Sequence, residues 1–399
     1  MSSGWTPDQF NPHDPAYLAE PYPTYARFRE QAPIHTVQPY GSNWLFAYAD
    51  CKEVLEDTDV WVKNSPLGAP KPYGQFEVMS SFPPGLFGSD PDLHTRLRSI
   101  LEPLFDQAIQ AAPAIAEKIA EPLLGAAHEH GRMELTSGYA LPLPAGVLFT
   151  LLGIPNDPGV WSGLMSWQAA IVAAHDITQS AAVRGGGATC SMAVNTFFEG
   201  LRLSDEATPG SGLFTEMCGA FASAGLSPQQ VQMCATDFLV AGYASTTFLI
   251  GTGTRNLLLN PDQLEALRKD DQLIDGAVEE MLRFDAPAQL VDRCAAVDTE
   301  LGGHAFKAGD RITVVLGSAD RDPESFDNPD EFLITRDTDA HLSFGAGIHH
   351  CIGAPLVGLV APVAFKMLLT AFPGLSLDGL AQWQTDPYLR AVSSLPLSF

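Results

Sequence analysis

The chain has 399 residues, 46% of them hydrophobic, which is enough for a large buried core. Acidic residues outnumber basic ones 47 to 22, for a formal charge of -25. That balance argues against nucleic acid and anionic membrane surfaces, which favour a basic face, and suits neutral or cationic partners.

In chain order, the N-terminal run "MSSGWTPDQFNPHD" has neither a basic nor an apolar leader region, so no signal peptide is expected. Residues 1–60 mix turns with short runs such as "NWLFAYA" from Asn43, which predicts a strand. A Pro/Gly-rich loop covers 64–91. From Leu93 to about Asp285 the pattern is mainly helical. The most apolar stretch, "GYALPLPAGVLFTLLGIP" from Gly138, contains Pro142, Pro144 and Pro155. It reads as a proline-broken core helix, and no segment reads as a membrane span. "RGGGAT" from Arg184 predicts a flexible joint between two helices, and "TPGSG" from Thr208 another. The longest helix candidate runs from Ser227 to Asn260-Pro261. Ser227 and Gln230 make a capping-box pattern, with Pro228 at the first helical position. Strand-like "DRCAAV" and "RITVVLGSA" follow Leu290. A last helix starts near Gly353 and ends before "FPG" at 372–374. The expected architecture is one domain over 1–399, mainly α with a smaller β region. Strands fall near 30–60, 290–335 and the C-terminal end, and helices over about 93–285 and 353–372.

Six cysteines lie at 51, 190, 218, 234, 294 and 351, with no CxxC pair and no disulfide framework. A cytoplasmic protein with reduced thiols is expected. Cys351 sits in "HLSFGAGIHHCIGAPL", residues 341–356. Gly345, Gly347 and Gly353 permit positive φ and close backbone approach to a bulky group. A helix starting just after Cys351 would turn N–H donors and its positive dipole end toward the sulfur, favouring thiolate. Such a thiolate is a metal ligand or a nucleophile; the plainer alternative is a buried structural cysteine. A His349-His350-Cys351 zinc site is disfavoured, because adjacent residues rarely all ligate one tetrahedral ion.

"FGAGIHHCIG", Phe344 to Gly353, resembles the haem-binding loop of cytochromes P450, F-G-x-G-x-[HR]-x-C-x-G, at every fixed position. The resemblance implies haem b with Cys351 as the axial thiolate, its electron push favouring O–O cleavage. Phe344, Gly345 and Gly353 belong to that loop. His349 stands at the basic position that reaches a haem propionate, and His350 has no such role. Other motifs follow in the family's order. "EEMLR" gives Glu280 and Arg283, the structural E-x-x-R pair, on one helix face. "HTRLRS" gives His94 and Arg98, and "VDR" gives Arg293, all resembling propionate ligands. "SADRDPESFDNPDEF" resembles the stretch leading into the meander. The likeness runs from "EPYPTYARFREQAPI" to "RAVSSLPLSF" and implies the P450 fold, with haem between the long distal helix and the cysteine loop.

Three departures stand out. Where the family has A-G-x-[DE]-T-[TS], this chain reads "AGYAST". Ala241 and Gly242 match and would leave room for dioxygen. Ala244 replaces the acid that helps feed protons, and Ser245 replaces the threonine. A one-residue shift would make Thr246 the alcohol. After the cysteine, "CIGAPLVGLVAP" has Gly358 for the usual arginine, Val360 for the glutamate, and Pro362 within the helix. Glu331 stands where many members carry a basic residue, a role open to Arg336.

The resemblance further implies a monooxygenase using O2 and electrons from ferredoxin and ferredoxin reductase, monomeric, with no nucleic-acid or membrane partner. The substrate would be small and lipophilic, with Phe82, Phe87, Asp237, Phe238, Leu290 and Val291 as candidate contacts. Asp237 would anchor a cationic or hydroxylated substrate or pair with a nearby loop. The alternative activity, suggested by Ala244, is a peroxide-dependent oxygenase or an oxidative-coupling enzyme.

Overall fold

The computed structural model describes residues 6–64, 83–207, 210–338 and 340–399; Phe82 and much of the 64–91 stretch lie outside these. Pro15 and Pro23 stand in the first turns of α1 (Pro15–Ala19) and α2 (Tyr22–Gln31), where a missing N–H costs nothing. β1 (Ile34–Val37) and β2 (Ser42–Leu45) pair antiparallel, and α3 (Tyr48–Glu56) and β3 (Trp61–Val62) follow. Then come α4 (Pro91–Ala108), α5 (Ala112–His128), β4 (Arg132–Glu134), a π-helical turn at Thr136–Ala140 and α6 (Pro142–Leu152). The helices continue with α7 (Pro158–Ala173), α8 (Ala181–Ala207), α9 (Leu213–Ser223), α10 (Pro228–Ala241), α11 (Ala244–Leu259), α12 (Pro261–Lys269) and α13 (Ile274–Phe284). β5 (Leu290–Ala295), β6 (Thr299–Leu301), β7 (His304–Phe306) and β8 (Arg311–Val315) precede α14 (Leu316–Ala319) and α15 (Ala354–Ala371).

The chain divides into two compact units. The first comprises Met1–Pro72, Gly251–Cys351 and Ser376–Pro396. Its sheet has the order β1-β2-β8-β5-β3, with β2 and β8 parallel and the other pairs antiparallel. Leu45, Ile312 and Val314 of this sheet pack with Cys51, Val54 and Leu55 of α3, all fully or almost fully buried. β-branched residues suit that pleated, half-covered surface.

The second unit comprises Tyr73–Ile250, Ile352–Leu375 and Leu397–Phe399 and is mainly helical. α6 is the expected core helix: it buries Leu143 through Phe149 and ends on Gly153 at φ 77. α15 packs on α5, α7 on α8, and α10 on both α8 and α9.

Two expectations change. α8 is continuous through Gly185, Gly186 and Gly187, so "RGGGAT" is not a joint. Ala188, Ser191, Val194, Asn195 and Phe198 form a buried stripe at helical spacing. Packing of that stripe overrides a propensity cost of about 1 kcal/mol per glycine. The long helix is two helices, α10 and α11, interrupted at Gly242-Tyr243. The capping box at Ser227 and Gln230 is present as expected. By length and composition alone, Pro228–Leu259 and Ala354–Ala371 are apolar enough to cross a membrane, as buried core helices also are. The first has 67% of its most apolar 18-residue window buried within the fold, and the second buries Leu356, Val360, Ala361, Ala364, Phe365 and Leu368.

Candidate active site

Within the first unit the cysteine loop is held from below. Gly345 and Gly347 adopt φ 72 and 66, the left-handed region that side chains avoid. A Cβ on Gly347 would lie 2.7 Å from the Leu55 carbonyl oxygen at the end of α3, so glycine is required twice over. The Cys351 N–H donates to the Phe344 carbonyl at 2.9 Å, which closes the loop. The Phe344 ring meets His350 edge-on at 6.1 Å. Of the six cysteines, Cys51, Cys234 and Cys294 are buried, and Cys351 is exposed. That removes the buried structural reading. Gly353 caps α15, which begins at Ala354, three residues past the sulfur-bearing residue as the sequence predicts. His349 lies half-buried in a short 3-10 turn with Gly347.

Asp320 anchors the base of this loop and was not visible as a site residue in the sequence. Its fully buried carboxylate accepts from Leu342 N–H at 2.6 Å and from Ser343 Oγ at 2.7 Å. Burial pushes its carboxyl up, and His341, these hydrogen bonds and Arg283 pull it back. Arg283 Nη1 donates to the Asp320 carbonyl at 2.8 Å. Arg283 also forms a two-pronged pair with Glu280, at 2.7 Å and 2.9 Å, with both side chains fully buried. The E-x-x-R pair therefore supports the loop from α13 through Asp320. Arg336 Nε reaches Glu280 Oε1 at 3.2 Å and completes the network. Glu331 supplies a carbonyl to both arginines, and its side chain is exposed, so Arg336 takes the basic role.

In the second unit, α10 and the start of α11 are mostly buried, yet one stripe is accessible. Met233, Asp237, Val240, Ala241, Ala244, Ser245 and Phe248 recur at helical spacing on it. Thr246 is 2% exposed and off that stripe. The accessible alcohol on this stripe is Ser245. Ala244 puts a methyl group on the same face, where no proton can be held. Gly242 answers to packing: a Cβ there would meet the Phe238 carbonyl at 2.3 Å and the Leu148 side chain at 2.9 Å. Gln168 of α7 covers the interruption. Its Nε2 donates to the Val240 carbonyl at 2.9 Å, and Tyr243 OH bonds to its Oε1 at 3.1 Å.

The remaining candidates separate. His94 and Arg98 share a face of α4; His94 is buried, and Arg98 pairs with Glu102 at 2.9 Å. Arg293 is buried on β5 opposite Ile312. Asp237 Oδ2 accepts from the Phe87 N–H at 3.0 Å, so it pairs with a loop. Phe87 is 48% exposed. Phe238 and Leu290 are buried. Phe238 is stacked on Phe105 at 5.2 Å, and Leu290 is covered opposite Val315. Val291 packs against the sheet core.

A family model described as Cytochrome P450 matches residues 219–386. The cytochrome P450 monooxygenase PikC of Streptomyces venezuelae is 35% identical over 397 residues, covering 96% of this chain and 91% of that one. The chain belongs to the cytochrome P450 family. The polyketide biosynthesis cytochrome P450 PksS of Bacillus subtilis (strain 168) is 32% identical, covering 98% of each chain. The solved structure of P450BioI, in complex with hexadec-9Z-enoic acid ligated acyl carrier protein, superposes with a TM-score of 0.88. It is 28% identical and covers 96% of this chain and 99% of that one. The fold is the P450 fold, the enzyme is a P450 monooxygenase, and its cofactor is haem with an axial cysteine thiolate. Its relatives include enzymes named as monooxygenases and hydroxylases, and P450 monooxygenases use O2 and electrons from a redox partner.

The residues present fit that group. Cys351 offers one exposed sulfur on a loop whose glycines let backbone come close. Among the described residues no three His, Cys, Asp or Glu side chains cluster as metal ligands. A single protein sulfur suits a metal that brings its other ligands in a macrocycle, and does not suit tetrahedral zinc.

Proposed function

We propose that residues 1–399 form one P450 domain in which Cys351 is the axial ligand and Ser245 the distal alcohol. The enzyme inserts one atom of O2 into a small lipophilic molecule, and the other atom leaves as water. The observation that carries this reading is the exposed Cys351 on its positive-φ glycine loop at the head of α15. When bound, haem iron supplies dioxygen activation, which the thiolate's electron push favours. His349, Arg293, His94 and Arg98 would hold the propionates. Ala241 leaves space on the accessible stripe. Ser245 can donate and accept a hydrogen bond there, which Ala244 cannot do. The names of PksS and of the P450BioI complex favour polyketide or fatty-acyl substrates, in keeping with an apolar stripe. Electrons would come from a ferredoxin and its reductase. The protein would work as a cytoplasmic monomer.

Ala244 favours a second reading, in which hydrogen peroxide replaces O2 and the electron donor, or the product is an oxidative coupling. Isotope labelling separates the two. Donor-driven turnover under 18O2 should place one 18O atom in the product. Label entering only from 18O-labelled hydrogen peroxide, or no oxygen insertion, would support the second reading.

A further inference from the structure

We infer that Asp237 is a specificity-determining latch that fixes the Gly85–Phe87 loop against the accessible stripe of α10 and so sets how large a substrate fits beside Ser245. The inference rests on the P450 reading for what the stripe binds, and on local geometry for the latch.

Two observations place the loop on the helix. A Cβ on Gly85 would lie 2.2 Å from Asp237 Oδ2 and 3.1 Å from the Met233 backbone carbon, so only glycine lets the chain come this close. The Phe87 N–H then donates to Oδ2 at 3.0 Å. Ser89, itself 1% exposed, donates from Oγ back to the Gly85 carbonyl and holds the loop's shape. Asp237 lies one turn before Ala241 and two turns before Ser245 on the same stripe. Eight residues at the helical rise, taken across the interruption at Gly242-Tyr243, span about 12 Å, so a loop latched at Asp237 bounds the far end of a medium-sized ligand that reaches Ser245.

The latch is sensitive to protons. Burial raises the Asp237 carboxyl to about 7, and the N–H groups of Phe87 and Leu86 pull it only part of the way back. Among the described residues no charged side chain contributes to that shift. Cys234, one turn earlier on α10, is a buried thiol kept neutral, and the loop brings Leu86 and Phe87, both apolar. Opening the loop returns the carboxyl to water and to its ordinary range. The closed loop therefore holds the proton more tightly than the open one. Closure weakens as pH rises from the ordinary carboxylate range through about 7 and levels off above that.

The test is hydrogen exchange of residues 85–89 in the haem-loaded protein, corrected for the intrinsic pH dependence of exchange. Protection should be about tenfold weaker at about pH 8 than at about pH 6, by linkage to a group titrating between its ordinary value and 7. Asp237→Asn keeps an acceptor and removes the titration, so that difference should vanish. Asp237→Ala and Gly85→Ala should each lower protection at both pH values. The double variant should be no worse than either single one, because each removes the same contact. In Asp237→Ala, the affinity for 4-phenylimidazole relative to imidazole should rise, because the small probe does not need the space. Unchanged protection in Asp237→Ala, or a pH difference that persists in Asp237→Asn, would overturn the latch. Exchange does not depend on turnover, so failure of the monooxygenase reading would leave these outcomes standing.

Discussion

At the scale of single residues, the chemistry over the stripe depends on Ala244 and Ser245. Ala244 holds no proton, and serine has a freer rotamer than threonine. Donor-driven turnover should therefore release part of its reducing equivalents as hydrogen peroxide. Ser245→Ala should raise that share several-fold, and Thr246→Ala, at a site 2% exposed, should change it little. Ala244→Glu should lower it. Peroxide assay against donor consumption reads all three, and a damaging Thr246→Ala would mean that the buried hydroxyl is the working one. The alcohol's identity was half legible in the sequence, where the motif permitted either residue. Exposure along the helix sets the two apart, with Ser245 accessible and Thr246 buried, because neighbouring positions on a helix differ by 100° in direction. Asp320 was illegible for the opposite reason. An aspartate in a turn-rich run gives no sign that its carboxylate will be buried under a cysteine loop nearer the C-terminus.

At the scale of elements, local signals were read well where they were self-sufficient. The Ser227 capping box, the stop at Asn260-Pro261 and the Gly353 boundary are set by residues a few positions apart. The glycine run at 185–187 misled because its helix is stabilised by contacts with α7 and α10, which the run itself does not reveal. Gly186 has open space around its missing Cβ. Gly186→Ala should therefore stabilise the protein by about 0.5–1 kcal/mol, measured by denaturant unfolding. A loss of stability would argue against a continuous α8. The interruption at Gly242-Tyr243 was equally hidden, since Gln168 and Leu148 lie on other helices. The Glu280–Arg283 pair makes the converse point: two residues visible on one face, whose effect depends on Asp320 and Arg336. Arg283→Ala leaves the buried Glu280 carboxylate with Arg336 as its one remaining cation and should cost about 3–5 kcal/mol. Arg336→Ala, which leaves that pair intact, should cost less, about 1–3 kcal/mol. Equal losses in the two variants would contradict this hierarchy.

At the scale of the molecule, the net charge of -25 shapes how an electron donor is met. The outer face of α15 presents Pro355, Gly358, Leu359, Pro362 and Val363, with Lys366 as its cation. An acidic ferredoxin finds little attraction there, so its reduction of this enzyme should be slow and only shallowly dependent on salt. Gly358 is exposed with nothing within 4 Å of its missing Cβ, so an arginine fits. Gly358→Arg should speed reduction at low ionic strength and steepen the salt dependence. Fast, steeply salt-sensitive reduction of the wild type would count against this view. The central claim is that Cys351 is the thiolate that holds the haem. Its most direct measurement is the absorption of the carbon monoxide complex of the reduced protein, in the wild type and in Cys351→Ala. The wild type should show the strongly red-shifted Soret band of thiolate-ligated haem, and the variant should lose both that band and turnover; an unaltered band in Cys351→Ala would contradict the account.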